Sequence, residues 1–170
     1  MIREALNKDL PEILNIYNDA ILHTTAVYCY EADTLNGRIQ WFNNKKQDGY
    51  PVLVYEKGGR IAGFATFGPF RPWPAYKYAI EHSVYVSKDF RNLGIASKLM
   101  KELIDTANKR EYATIVAGID AANTPSIKLH EKLGFVYAGI IKKAGYKFGD
   151  WLDLAFYQLD LSGPKSPNEK

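Results

Sequence analysis

Seven consecutive residues, Arg91-Asn92-Leu93-Gly94-Ile95-Ala96-Ser97, combine a cation, a glycine and small side chains just ahead of an amphipathic run. The N–H groups in the first turn of a helix lack intrahelical partners and carry a partial positive charge. With no acidic residue at this start, they are suited to an anion. The spacing Arg91-x-x-Gly94-x-Ala96 serves the same end, because Gly94 and Ala96 let backbone approach a ligand closely. Neither G-x-G-x-x-G nor G-x-x-x-x-G-K-[ST] occurs, so the dinucleotide and nucleoside-triphosphate fingerprints are both absent. Alone, the short pattern is common; its place between a strand and a long helix sharpens it.

Those flanking elements are legible. Val84 and Val86 alternate with Ser83, Tyr85 and Ser87, which is strand spacing. Ile95, Leu99, Leu103 and Ala107, with Ala96, Met100 and Ile104 beside them, form a helical stripe. The strand is predicted to run through Lys88-Asp89-Phe90 into a helix whose first turn is residues 91–96. Upstream, Asp9 and Glu12 read as a capping box with Pro11 in the first turn, followed by a stripe of Leu10, Ile13, Leu14, Tyr17, Ala20 and Ile21. TLNGRIQWFNNKK predicts a second helix, and PVLVYEKGGRIAGFATF a hairpin turning at Gly58-Gly59. After a Pro- and aromatic-rich loop, GPFRPWPAYKYA, come the central strand and helix and then a further strand, ATIVAGID. NTPSIKLHEKLG predicts a short helix capped by Asn123 or Thr124 and stopped by Gly134. Two last strands are joined through Gly149-Asp150, and the polar tail, residues 162–170, is expected to be disordered. The order αα–ββ–β–α–β–α–ββ describes an α/β domain over residues 1–161, a mixed sheet with helices on both faces.

Composition narrows the class. The chain has 170 residues, 46% apolar and 24% charged, with net charge +3. Lys45-Lys46 and Lys142-Lys143 are short, dispersed pairs, so no nucleic-acid stripe is expected. Cys29 is the only cysteine, which excludes an intramolecular disulfide and a cysteine-rich metal site. It lies in the strand-like AVYCY and is expected to be buried. The first residues carry acids early and no long apolar run, so neither signal peptide nor membrane anchor is expected, and the natural class is a cytoplasmic enzyme or binding module.

VYVSKDFRNLGIASKLM followed by NTPSIKLHEKLGF resembles the acyl-CoA-binding core of the GNAT N-acetyltransferases. IYNDAI, GPFRPWPAYKYAIEHSVYVS and AGYKFGDWLDLAFYQLDL bring the resemblance nearer to the phosphinothricin and methionine sulfoximine branch, over nearly all of residues 2–161. It implies a mostly antiparallel sheet with a splayed central strand pair, acetyl-CoA as co-substrate, no metal, and a homodimer. The pyrophosphate would lie on the N–H groups of Asn92, Leu93, Gly94, Ile95, Ala96 and Ser97, with Arg91 either touching phosphate or bracing the turn. The pantetheine arm would pair with Val84, Tyr85 and Val86 and meet Asn123, with Ser126 close by. Lys132 either nears the phosphates or is simply solvated.

Acetyl transfer to an amine needs a base for the ammonium, donors for the oxyanion and an acid for the thiolate. By resemblance, Glu81 is the base, acting directly or through water, and the Val84 N–H polarises the carbonyl. His130 stands where many of these enzymes carry a tyrosine acid; imidazole can donate or accept, and the sequence leaves acid, base and structural roles open. Arg71 is the candidate cation for a substrate carboxylate or phosphinate, a solvent-facing loop arginine being the alternative. Trp73, Tyr78, His82 and Ser83 join Glu81 on the substrate side, although strand alternation turns His82 away from Glu81 toward a structural or polar role. The expected reaction moves acetyl to a small amino-acid-like amine. Another small amine or a protein amine is the nearest rival; a non-catalytic acyl-CoA sensor fits less well while Glu81 and His130 are present.

Overall fold

Eleven α-helices and strands make up the computed structural model, which describes residues 1–170. They are β1 (Ile2–Glu4), α1 (Leu10–His23), α2 (Leu35–Gln47), β2 (Val52–Lys57), β3 (Arg60–Pro69), β4 (Ala79–Val86), α3 (Ile95–Lys109), β5 (Thr114–Asp120), α4 (Thr124–Lys132), β6 (Val136–Lys147) and β7 (Asp150–Asp160). The fold is α/β, a mixed and mostly antiparallel sheet with one parallel strand pair and helices on both faces. Two compact units make it up, with β4 and α3 each contributing to both. No helix is long and apolar enough to cross a membrane.

The first unit holds Met1–Phe67 and Ser83–Leu103. β2 and β3 form the expected hairpin, and Gly58 and Gly59 take φ of 59° and 74° at its turn, the left-handed values a two-residue loop requires. β1, which periodicity did not show, pairs antiparallel with β2 from Ile2↔Tyr55 to Glu4↔Leu53. Against this sheet α1 buries Leu10, Ile13 and Ile16, and α2 buries Phe42, together with Val52, Val54, Ile61 and Phe64. Each large apolar side chain so buried contributes roughly 1.5–3 kcal/mol. β3 approaches β4 closely at Gly63, where a Cβ would stand 2.8 Å from the Tyr85 carbonyl oxygen.

Three expectations are corrected here. The capping box does not form. Both Asp9 oxygens take the Arg3 guanidinium, at 2.7 and 3.0 Å, and Oδ2 also accepts the Leu6 N–H at 2.8 Å, while Glu12 accepts the Ile61 N–H at 3.0 Å. These carboxylates therefore tie α1 to its neighbours, and Arg3 holds the Asp9 carboxyl below the usual range. The long helix starts at Ile95, four residues later than predicted. Lys88–Phe90 form a 3-10 turn, and Asn92 and Gly94, at φ 62° and 71°, are left-handed and outside the helix. Cys29 is exposed in an irregular segment, not buried in a strand. The end of that segment is fastened by two bonds between Asn18 and the Asp33 backbone, at 3.0 and 2.8 Å, and by Asp33 on Arg38 at 2.6 Å.

The second unit holds Gly68–His82 and Ile104–Lys170. The first residues of β4 pair in parallel with β5, from Ala79↔Thr114 to Glu81↔Val116. β7 runs antiparallel to β5 and to β6. The tail beyond Leu161 has neither helix nor strand; the Asn168 N–H donates to the Tyr78 hydroxyl at 3.1 Å, and Lys77 Nζ donates to the Asn168 side chain at 3.0 Å.

Candidate active site

β4 carries Glu81, His82, Ser83, Val84, Tyr85 and Val86, six of the residues the sequence singled out. Ile80 and His82 are buried, so the pleat turns half-buried Glu81 to the opposite face. Its carboxylate lies over Gly118 of β5, where a Cβ would come within 3.2 Å of Oε1 and 3.4 Å of Leu154 Cδ1. Gly118 thus provides the room for Glu81, a role sequence reading missed; its one signal is a glycine interrupting a strand. Burial pushes the Glu81 carboxyl up, and the Arg71 charge pulls it partly back. Arg71 itself is exposed, its guanidinium carbon 5.3 Å from the centre of the Phe70 ring. Phe70 meets Tyr76 and Phe156 edge-on, at 6.0 and 6.4 Å between centroids, and Trp73 leans on Tyr76 at 6.5 Å. Glu81, Arg71, Trp73, Tyr78 and His82 therefore fall in one unit, and Ser83 in the other.

His130 on α4 and His82 on β4 meet, although 48 positions separate them: their Nε2 atoms are 2.9 Å apart, with ring centres 5.0 Å apart and planes within 20° of each other. His130 Nδ1 lies 2.7 Å from the Ser126 carbonyl oxygen. A carbonyl only accepts, so Nδ1 carries the hydrogen. Both rings are held toward the neutral form by burial, His82 down to about 3 with His130 adding to the effect, and His130 lowered against the opposing pull of Ser126. With one hydrogen on each ring, the bond between them is His82 Nε2–H donating to His130 Nε2. Both His130 nitrogens are then engaged. His82 Nδ1 is a buried acceptor without a protein partner. Phe135 stands edge-on to both rings, at 5.8 and 5.1 Å.

Asn123 caps α4, its side-chain oxygen accepting the Ser126 N–H at 3.2 Å. Lys132 is exposed in the last turn of the same helix. In the other unit, Tyr85 packs against Tyr17 and Phe64, at 5.5 and 5.2 Å, and burial raises its hydroxyl to about 12. The first backbone bond of α3 is Lys98 N–H to the Gly94 carbonyl, so the N–H groups of Ile95, Ala96 and Ser97 lead out of the helix start. No acid stands in the first turn, and the left-handed Asn92 and Gly94 reorient the preceding peptides. Such a turn makes an anion-binding concavity, and the residues fit a phosphate group. Arg91 reaches the α1 residue Asp19, at 3.3 Å, from the edge of this turn. No group of three or more His, Cys, Asp or Glu residues stands ready for a metal ion.

A half-buried carboxylate on β4 and a strand-to-helix turn suited to a phosphate are each features that an acyl-transfer protein uses. Residues 10–135 match the acetyltransferase (GNAT) family, and the chain belongs to it. The chain is 42% identical, over 97% of its length and 96% of the relative's, to the L-methionine sulfoximine/L-methionine sulfone acetyltransferase of Pseudomonas aeruginosa. An N-acetyltransferase structure from Staphylococcus aureus Mu50 is 56% identical, with TM-score 0.95 over 95% of this chain and 98% of that one. The Salmonella typhimurium yncA structure, which holds its cofactor acetyl-CoA, is 40% identical, with TM-score 0.95 over 99% and 97%.

Proposed function

We propose that this chain transfers the acetyl group of acetyl-CoA to the amine of a small amino-acid-like substrate of the methionine sulfoximine, methionine sulfone or phosphinothricin type, by direct attack in a ternary complex. The observation that carries the reading is Glu81, held over Gly118 with its carboxyl raised by burial and a cation, Arg71, in its field. A raised carboxyl is better matched to taking a proton from an ammonium group than an ordinary one. Glu81 accepts that proton; such a base supplies about 10²–10⁴-fold. Arg71 balances the substrate's own carboxylate or phosphinate, and Trp73 and Tyr78 flank it. The Val84 N–H polarises the thioester carbonyl, Val84, Tyr85 and Val86 offer backbone to the pantetheine arm, and Asn123 and Ser126 meet it from α4. The N–H groups of Asn92 through Ser97 receive the pyrophosphate. Arg91 braces that turn through Asp19, and Lys132 supplies positive charge at the far end of α4. The amine nitrogen forms the new bond to the acetyl carbon as the carbon–sulfur bond breaks. Between ammonium and amide it sheds two protons, one ending on the thiolate and one in solvent.

A second copy of the chain pairs with the first through β6, β7 and the turn joining them, where Val136, Tyr137, Phe148 and Trp151 are 64%, 58%, 59% and 61% exposed, and the enzyme works in the cytoplasm, where acetyl-CoA is at hand. The test follows thiol release from acetyl-CoA with phosphinothricin, methionine sulfoximine, methionine sulfone, spermidine and a peptide N-terminus, alongside Glu81→Gln. Saturable release with the sulfoximine, sulfone or phosphinothricin, lost in the variant, is expected. Release confined to spermidine or peptide overturns the substrate, and full activity in Glu81→Gln overturns the base.

A further inference from the structure

We propose that His82 is a positioning residue for acetyl transfer: through His130 it hooks the first turn of α4, which carries Asn123 and Ser126, onto β4 beside Glu81. The inference rests on the acetyl-CoA reading above and gives His82 a role that composition and spacing do not.

The hydrogen bonds run one way. His82 Nε2–H donates to His130 Nε2, and His130 Nδ1–H donates to the Ser126 carbonyl, at 2.9 and 2.7 Å. Two elements far apart in sequence are thereby joined by a chain of three residues. An unmet buried acceptor is unfavourable, so a ring that merely filled space at position 82 would be better apolar. His82 keeps a bare, buried Nδ1. What the histidine provides in return is its N–H to His130. The chain also ends on a carbonyl that cannot take a proton onward, and neither ring offers a free N–H to a leaving thiolate. That arrangement suits a clamp rather than a proton wire.

α4 has reason to need one. It spans nine residues, too few to be stable alone, and its capping bond from Asn123 holds only its own first turn. Ser126 belongs to both devices: its N–H is taken by Asn123 and its carbonyl by His130. Phe135, edge-on to both imidazoles, packs against the pair and holds their ring planes near one another. Loosening the clamp lets Asn123 and Ser126 drift from the strand that presents Glu81, and this weakens cofactor binding before it slows the chemistry.

The experiment combines imidazole nitrogen NMR with steady-state kinetics on the full-length protein. At pH 7 the wild type should show His130 protonated at Nδ1 and His82 at Nε2, with neither ring charged. His82→Phe, which removes the donor, should raise KM for acetyl-CoA about tenfold, with kcat within about threefold of wild type. His82→Gln, whose amide can still donate to His130, should rescue KM to within about threefold. A proton on His82 Nδ1 in the wild type overturns the proposal, as does an unchanged KM in His82→Phe. A fall in kcat of about 10²-fold or more in both variants, with KM unmoved, also overturns it, by making the ring an acid–base group. If His82→Phe fails to fold, the wild-type tautomers and the His82→Gln kinetics still decide. A wild type that turns over no amine overturns the acetyl-transfer reading and the positioning role together, whereas the tautomers are read without turnover.

Discussion

Acid should destabilise this fold through one residue by an amount that can be worked out. His82 is buried and its folded pKa is down to about 3, against about 6.5 when unfolded. Between those values the unfolded chain binds the extra proton, so stability rises with pH there. The contribution is complete above about pH 6.5 and is lost progressively as pH falls toward 3. For one such site the loss is about 2 kcal/mol at pH 5 and about 3 kcal/mol at pH 4, a large part of a typical margin of roughly 5–15 kcal/mol. His130, also lowered, acts in the same direction, and so does Asp9 at more acid pH. Glu81, with its raised carboxyl, acts in the opposite one. The His82 share is isolated by urea unfolding of wild type and His82→Phe at pH 7.5, 6 and 5. The stability of wild type relative to the variant should shrink by about 2 kcal/mol across that range. Curves that stay parallel within about 0.5 kcal/mol would refute the reasoning, because His82 would then not be held neutral by the fold.

Three further outcomes follow from the geometry. The acid limb of kcat/KM should lie above the ordinary carboxyl range of about 4.3, activity falling as pH drops through it, and Arg71→Gln should move that limb further up because Arg71 pulls Glu81 down. A pH–rate profile of the two proteins checks both statements. Gly118→Val should cost at least about tenfold in kcat while the chain still folds, since its side chain competes with Glu81 Oε1 for the same space. Gly63→Ala should destabilise by about 2 kcal/mol or more, read as a lower Tm, because its Cβ meets the rigid Tyr85 carbonyl at 2.8 Å.

Local pattern reported most of the elements and little of their meeting. The stripe through Ile95, Leu99, Leu103 and Ala107 is buried with Met100, while Ala96 and Ile104 beside it are half-buried, and the Asn123 cap, the glycine turn at 58–59 and the final strand pair all form as read. β1 escaped because three residues cannot show a period of two, and its partner lies some fifty residues away. The start of α3 was misplaced because the 91–94 turn contains nothing that forbids a helix except Gly94, and propensity is a weak signal there. Asp9 and Glu12 had the spacing of a capping box, but Arg3 and the Ile61 N–H outcompeted the helix end for their oxygens. Alternation placed His82 opposite Glu81; it could not reveal His130, since contact between a strand and a distant helix is set by tertiary packing. Gly118 was visible only as a glycine in a strand, and its purpose emerges once Glu81 is seen above it.

The exposed Cys29 bears directly on how turnover would be observed. As the one thiol in the chain, it competes for the same electrophilic dye that reports free CoA. It would contribute up to a single equivalent per polypeptide, independent of amine. At high enzyme concentration that signal mimics the burst of an acetylated intermediate and would suggest a two-step mechanism in place of the direct attack proposed above. A Cys29→Ser background removes the false burst, and any that persists belongs to the reaction.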